Sequence, residues 1–127
     1  MVFGRRKPGG VAGIWMARVM ADGLEREDHW KEISPPNTDN SRPRVSGDGG
    51  SVYYVLGQGG MRQFAVQKID ARMGAASGPL SLPLRRPLEL TALTGGGGPY
   101  PLIAVTAGAV YYSAKVLRGN IWSAKLQ

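Results

Sequence analysis

Short runs rich in β-branched, aromatic and other apolar residues, some with apolar side chains at alternate positions, recur along this chain. The clearest runs are residues 13–19, 51–56, 63–70, 109–116 and 121–126. Successive side chains of a β-strand point to opposite faces of the sheet. Ile14 and Met16 are therefore predicted on one face, and Trp15 on the other as a large residue buried between sheets. The pattern predicts an all-β chain.

Turn signals separate these runs. Ser-Gly-Asp-Gly at residues 46–49 predicts a turn in which Asp48 bonds its own following backbone and a glycine takes the left-handed conformation. Gly-Gln-Gly-Gly at residues 57–60 predicts a second hairpin loop. Residues 80–84 follow Pro79 and include Pro83. Because proline has no backbone N–H to donate to a neighbouring strand, this segment is predicted as an edge strand.

Polar and small residues predict the longer connections. Residues 37–43 are predicted as a polar loop and residues 71–78 as a small, flexible segment. For residues 20–32 the prediction is a long polar connection followed by a short strand at 30–33. A short helix over 24–31 is the alternative that propensity permits.

A segment near the middle of the chain recurs at its end. Tyr53 and Tyr111 are 58 residues apart, and so are Phe64 and Trp122. Val45 with Ile103 and Gly50 with Gly108 keep the same spacing. Several positions in one register indicate an internal repeat of three or four short antiparallel strands. Residues 1–3 are predicted as the tail of a strand from a preceding unit.

The residues of this repeat resemble a known family. The segment RPRVSGDGGSVYYV at 42–55 is similar to the first two strands of a TolB-type β-propeller repeat. Gly-Ile-Trp at 13–15 and Gly-Asn-Ile-Trp at 119–122 resemble its third strand. The run QKIDARMGAASGP at 67–79 resembles its link to the fourth strand. Gly47 departs from the family's usual proline, and Phe64 from its usual tryptophan.

The resemblance implies antiparallel β-meander blades of a partial β-propeller in a single domain. Residues 1–36 would be the end of one blade, 37–84 a complete blade and 85–127 the final blade. Because the family closes its ring with more blades than these, the resemblance implies the C-terminal portion of a larger bacterial protein. Open blade edges would favour self-association.

The function implied by the resemblance is a non-catalytic interaction or scaffold module. Propellers bind a protein, peptide or glycan through loops on one face, while the rigid blades hold those loops in place. The resemblance assigns no binding residue, and no cofactor is expected. It allows a periplasmic or a cytoplasmic location, and the sequence predicts neither a signal peptide nor membrane insertion.

Charge supplies the alternative function. The formal net charge is +7 and the pI is about 10.1, which fits a nucleic-acid-binding surface. Tyrosines interleaved with basic residues could stack on single-stranded nucleic acid. However, in each Tyr-Tyr pair one ring must point inward, and beyond residue 49 the basic residues are spread over several predicted strands. Nucleic-acid binding is therefore the second interpretation.

Catalysis and metal binding have little support. The chain has no cysteine, and its one histidine, His29, stands beside Glu27 and Asp28 with Glu32 nearby. These residues belong to one polar connection, so neither a metal site nor a Ser–His–Asp arrangement is predicted. The glycine-rich segments at 47–50, 57–60 and 95–98 lack the Lys-Ser/Thr of a P-loop and are predicted as turns.

Overall fold

The computed structural model describes residues 1–59, 61–83, 103–106, 109–112 and 122–125. This part of the chain contains no α-helix, and its strands pair antiparallel, so the predicted all-β class is confirmed. A 3-10 turn spans Glu27–His29. The strands are β1 (Val2–Arg6), β2 (Ala12–Met16), β3 (Val19–Met20), β4 (Gly23–Leu24), β5 (Lys31–Glu32), β6 (Asp39–Val45), β7 (Ser51–Gln58), β8 (Met61–Asp70), β9 (Ala75–Ser81), β10 (Ile103–Thr106), β11 (Ala109–Tyr112) and β12 (Trp122–Lys125).

The first sheet has the strand order β1-β2-β5, with Phe3 opposite Trp15. β1 continues to Arg6, beyond the predicted tail at residues 1–3. β2 ends at Met16 rather than at residue 19, and only Ala17 beyond it still exchanges backbone hydrogen bonds with β1's neighbour Met1. β5 lies within the predicted strand at 30–33. The alternative helix over 24–31 is wrong, since only the 3-10 turn forms.

The second sheet is a four-stranded meander in the order β6-β7-β8-β9. The predicted loop at 37–43 is wrong from Asp39 onward, because β6 begins there and pairs with β7. The register shifts between Ser41 and Arg44, where Arg42 has a positive φ of 60° beside Pro43. This bulge accommodates a proline that cannot donate to the ladder.

β9 forms the edge of the second sheet, as expected for a strand that contains proline. The flexible segment predicted at 71–78 is wrong from Ala75, where β9 begins, and the strand ends at Ser81 rather than at residue 84. The register shifts near Pro79, between the pairs Gln67–Leu80 and Ile69–Ala76. Gln67 Nε2 donates to the Gly78 carbonyl at 2.6 Å and satisfies the backbone in this irregular stretch.

The third sheet has the order β10-β11-β12, so both copies of the internal repeat form antiparallel meanders. Their registers differ, since Tyr53 lies opposite Val66 whereas Tyr111 lies opposite Ser123. The two copies of the repeat therefore share the order of their strands, but not the residue-to-residue register in which those strands pair. The glycine tetrad predicted as a turn at 95–98 and the turn glycine Gly108 lie outside the described residues, as do most of residues 85–127.

The main core lies between the first and second sheets. The first sheet and its connection contribute Ile14, Met16 and Ile33, and the second contributes Val52, Tyr54, Leu56, Ala65 and Ile69. The Val, Leu, Ile and Met side chains of this set contribute about 1.5–3 kcal/mol each when fully buried. On the other face of the second sheet, Val55 and Phe64 are also buried, so both faces of this sheet are covered. β6 lies against β1 and β2, and β10 lies next to β6.

Trp15 is on the face of the first sheet that points away from this core. It is half-buried, so the prediction of a tryptophan buried between sheets is wrong. The part of the chain that the structure describes includes no helix long and apolar enough to cross a membrane.

Candidate functional site

Two chain connections meet at one edge of the first and second sheets and enclose a polar cleft of about 400 Å³. One connection leads from β2 to β5, and the other is the tight turn at residues 71–74 between β8 and β9. The cleft is lined by Arg18, Glu25, Asp28, His29, Trp30, Lys31, Met73 and Gly74.

A small hairpin, made of β3 and β4, shapes one wall of the cleft. Its base is closed by two bonds, because the Arg18 N–H donates to Glu25 Oε1 at 2.7 Å and the Glu25 N–H donates to the Arg18 carbonyl at 3.1 Å. Trp30 Nε1 donates to the Glu25 carbonyl at 2.9 Å and fixes the indole at the cleft. The long polar connection is therefore ordered locally by Glu25.

The turn at 71–74 forms the opposite wall. Asp70 Oδ1 accepts hydrogen bonds from the N–H groups of Arg72 and Met73, at 2.8 and 3.1 Å. An aspartate that bonds the backbone two residues onward is a common turn-forming device. The turn presents the Arg72 and Met73 carbonyls toward the first wall.

Two cations connect these walls. Arg18 Nη2 donates to the Arg72 carbonyl at 3.2 Å, and Lys31 Nζ donates to the Met73 carbonyl at 3.1 Å. Neither cation forms an ion pair with a carboxylate among the described residues. We call this pair of contacts the carbonyl clamp. It joins the two connections and leaves positive charge at the cleft.

Exposed apolar side chains occur in the wall of the cleft, at Met73, and on the hairpin between Arg18 and Glu25. Val19 is 68% exposed and Met73 is 61% exposed, and Met20 and Leu24 on the hairpin are also exposed. We call these four residues the apolar rim. Exposed apolar groups beside polar ones are typical of surfaces that contact another molecule. Polar groups inside and apolar groups at the rim suit an extended peptide, which carries both.

The structure separates the acidic cluster around His29. His29 and Asp28 line the cleft, but Glu27 pairs with Arg5, and Glu32 pairs with Lys7 at 2.6 Å. Among the described residues no group of three or more His, Asp or Glu side chains could hold a metal ion. No hydrogen bond joins the His29 side chain to a serine hydroxyl or a carboxylate in this part of the chain.

The glycine-rich turn that follows β6 uses its polar groups internally. In the predicted turn at 46–49, Gly49 has a φ of 73° and the Gly50 N–H donates to Asp48 Oδ1 at 3.0 Å, which confirms the predicted geometry. The Ser46 hydroxyl and the Gly50 N–H lower the pKa of Asp48 below its ordinary value. At 57–60 the strands extend to the pair Gln58–Met61, so the loop is shorter than predicted.

The aromatic and basic residues of the repeat do not form a stacking surface in the second sheet. Tyr54 and Phe64 are buried, and Tyr53 stacks on Phe64 with 6.0 Å between ring centroids. The prediction that one tyrosine of the pair points inward is confirmed for Tyr54. Arg62 lies 3.6 Å from an Asp39 carboxylate oxygen, which reduces the free positive charge on this sheet.

Of the residues that line the cleft, sequence reasoning singled out His29 and Asp28 but missed Arg18 and Lys31. Arg18 and Lys31 contact a turn that lies 54 and 42 residues away from them in the chain. Comparison with protein-family models found no matching family. Searches of curated proteins and of solved structures found no match either. The resemblance to TolB-type propellers therefore stays a prediction from the sequence.

Proposed function

We propose that this chain is a non-catalytic interaction module of the β-propeller type, which binds a protein or peptide partner through the cleft. The observation that supports this proposal is the convergence of two connections from two different sheets around one rimmed cleft. Packed sheets hold such connections in place, so a partner can bind without ordering them first.

The chemistry of the cleft fits a polypeptide. Arg18 and Lys31 supply donors, while Glu25 and Asp28 supply carboxylate acceptors. A peptide backbone offers the complementary carbonyl and N–H groups. Met73 in the apolar rim can adapt to different side chains because its thioether chain is flexible. The partner is thus expected to place an apolar side chain on the rim.

Selection of peptides from a random library against the intact chain would test this function. We expect the selected peptides to lose about tenfold or more in affinity when Met20 and Met73 are both replaced by serine, since buried apolar anchors dominate binding energy. The matched control is Val45→Ser, which removes an exposed apolar side chain of β6 outside the cleft. Equal loss in both variants, or binding only to soluble glycans, would contradict the proposal.

The net charge of +7 favours nucleic-acid binding as a second candidate function. Such binding would weaken steeply with salt, because each phosphate contact releases counterions. Fluorescence anisotropy of a random single-stranded oligonucleotide at low and at physiological salt would measure this slope. A complex that forms at low salt, weakens steeply toward physiological salt and is unaffected by the methionine substitutions would favour the second function over the first.

A further inference from the structure

Two indole rings flank one guanidinium group on the outer face of the first sheet. Arg5 Cζ lies 5.8 Å from the ring centroid of Trp15 and 5.3 Å from that of Trp30. Phe3, opposite Trp15 in the register, meets Trp30 edge-on with 5.0 Å between ring centroids. We call Phe3, Trp15 and Trp30 the aromatic box.

A carboxylate completes the surroundings of the guanidinium. The Arg5 Nη2 atom forms an ion pair with Glu27 Oε1. The box therefore presents the two features that recognise an organic cation, namely indole faces and a nearby negative charge. A planar guanidinium suits these surroundings better than an ammonium, because it stacks on a ring while its edge pairs with a carboxylate.

Arg5 is held in the box by contacts that can be exchanged. Its side chain is 40% exposed, and that of Glu27 is 60% exposed, so their ion pair is solvated and contributes little. The pairing of β1 with β2 runs through the backbone of the two strands, with Arg5 opposite Gly13. The Arg5 side chain can therefore leave the box while the strand stays in place.

We propose that the aromatic box binds the guanidinium group of an arginine side chain from a partner chain, which displaces Arg5. In the unbound protein Arg5 fills the box and makes the contacts that the partner's arginine makes in the complex. The competing side chain lowers the apparent affinity of the wild-type protein, since only the fraction with an open box can bind. The box shares Trp30 with the cleft, but Phe3 and Trp15 are not among the residues that line the cleft, and the proposal stands whether or not the cleft binds a peptide.

The variant Arg5→Ala tests this site directly. The probe is N-ethylguanidinium, observed through the indole Nε1–H resonances of Trp15 and Trp30 by NMR. We expect saturable shifts in the millimolar range for the variant, and binding at least about tenfold weaker for the wild type. The matched control is Arg6→Ala, which removes the same charge from the next residue of β1, whose side chain alternates to the other face. It should behave as the wild type does.

A second pair of ligands tests whether the charge is recognised. N-acetylarginine amide should bind Arg5→Ala, whereas its neutral isostere N-acetylcitrulline amide should not. Equal binding of both, or no indole shift in a folded Arg5→Ala protein, would overturn the proposal. If Arg5→Ala does not fold, the wild-type Arg5 side-chain resonances decide the question. They should be shifted upfield by the indole rings and move toward ordinary values as N-ethylguanidinium is added, and unchanged resonances would overturn the proposal.

Discussion

At the scale of single residues, Tyr54 shows how a core side chain can be both well packed and electrostatically costly. It is fully buried in the main core, and its hydroxyl has no hydrogen-bond partner among the described residues. Burial raises the pKa of Tyr54 to about 12, because the charged phenolate is disfavoured away from water. The period-two pattern predicted that one ring of the Tyr53–Tyr54 pair is buried, but it cannot predict whether the hydroxyl finds a partner.

The variant Tyr54→Phe should be more stable than the wild type at neutral pH. It removes a buried hydroxyl that lacks a partner and keeps the ring, so we expect a gain of about 1 kcal/mol in the free energy of unfolding. Urea unfolding measures this gain. Tyr53→Phe is the matched control, because Tyr53 is half-buried and is not among the residues with an unpaired buried hydroxyl. A loss of stability in Tyr54→Phe would contradict the expectation.

Because of the buried Tyr54 hydroxyl, we expect the free energy of unfolding to depend on pH in the alkaline range. Folding raises the pKa of Tyr54 from 10.0 to about 12. The free energy of unfolding therefore does not depend on this group below pH 10.0 and falls as the pH rises from 10.0 toward 12. Across that range the wild type should lose roughly 2 kcal/mol more than Tyr54→Phe does. Parallel unfolding curves at neutral and alkaline pH give the difference. If both proteins lose the same free energy of unfolding at alkaline pH, groups other than Tyr54 cause the loss.

A glycine of β7 provides the third test at the residue scale. A Cβ at Gly57 would lie 2.7 Å from the Asp39 carbonyl oxygen, a backbone atom that cannot move without shifting β6. We expect Gly57→Ala to lower the free energy of unfolding by roughly 1–3 kcal/mol. At Gly4 a Cβ would meet nothing within 4 Å, so Gly4→Ala should stay within about 0.5 kcal/mol of the wild type. Similar losses in the two variants would argue against the close strand approach.

At the scale of elements, the sequence predicted most strands but not the polar ones. β7 and β8 are rich in β-branched and aromatic residues, so their periodicity is clear. β6 reads as a loop because it is polar and contains Pro43, yet pairing with β7 makes it a strand. Its Asn40 is fully buried and donates to Thr38 Oγ1 at 2.6 Å. Long-range pairing of this kind overrides local propensity.

The carbonyl clamp gives a prediction for the two connections. Replacing Arg18 and Lys31 together by alanine should cost about 1 kcal/mol, because both hydrogen bonds are exposed. It should also speed amide exchange at Arg72 and Met73, whose turn the clamp holds. Arg26→Ala is the control, since Arg26 pairs with Asp28, two residues away. Unchanged exchange in the double variant would show that the Asp70 bonds hold the turn without the clamp.

At the scale of the whole molecule, β6 of the second sheet lies against β1 and β2 of the first sheet and next to β10 of the third, and both faces of the second sheet carry buried side chains. The sequence predicted the repeat of meanders from the spacing of Tyr53 and Tyr111. The cleft could not be predicted, because it depends on how two sheets pack. The net charge of +7 acts at this scale, since it opposes the approach of a second copy.

The chain is expected to self-associate through an open strand edge. Met1 and Ala17 exchange both backbone bonds, at 2.6 and 3.0 Å, so by alternation Val2, Gly4 and Arg6 direct their backbone groups away from β2. Association should increase with salt, which screens the repulsion between copies. Light scattering at low and high salt would measure it. A monomer with two-state unfolding at all concentrations would contradict this prediction.

The proline in β9 limits what such association can become. A fibre needs each copy to offer a second strand edge that accepts a new strand. β5, at the other edge of the first sheet, is only two residues long. Pro79 together with the shifted register leaves β9, the outer edge of the second sheet, a poor acceptor. Growth that starts at β1 cannot be continued from β9. Concentrated solutions of this chain should therefore contain small finite assemblies and remain clear, and Pro79→Thr is the substitution that would turn them cloudy.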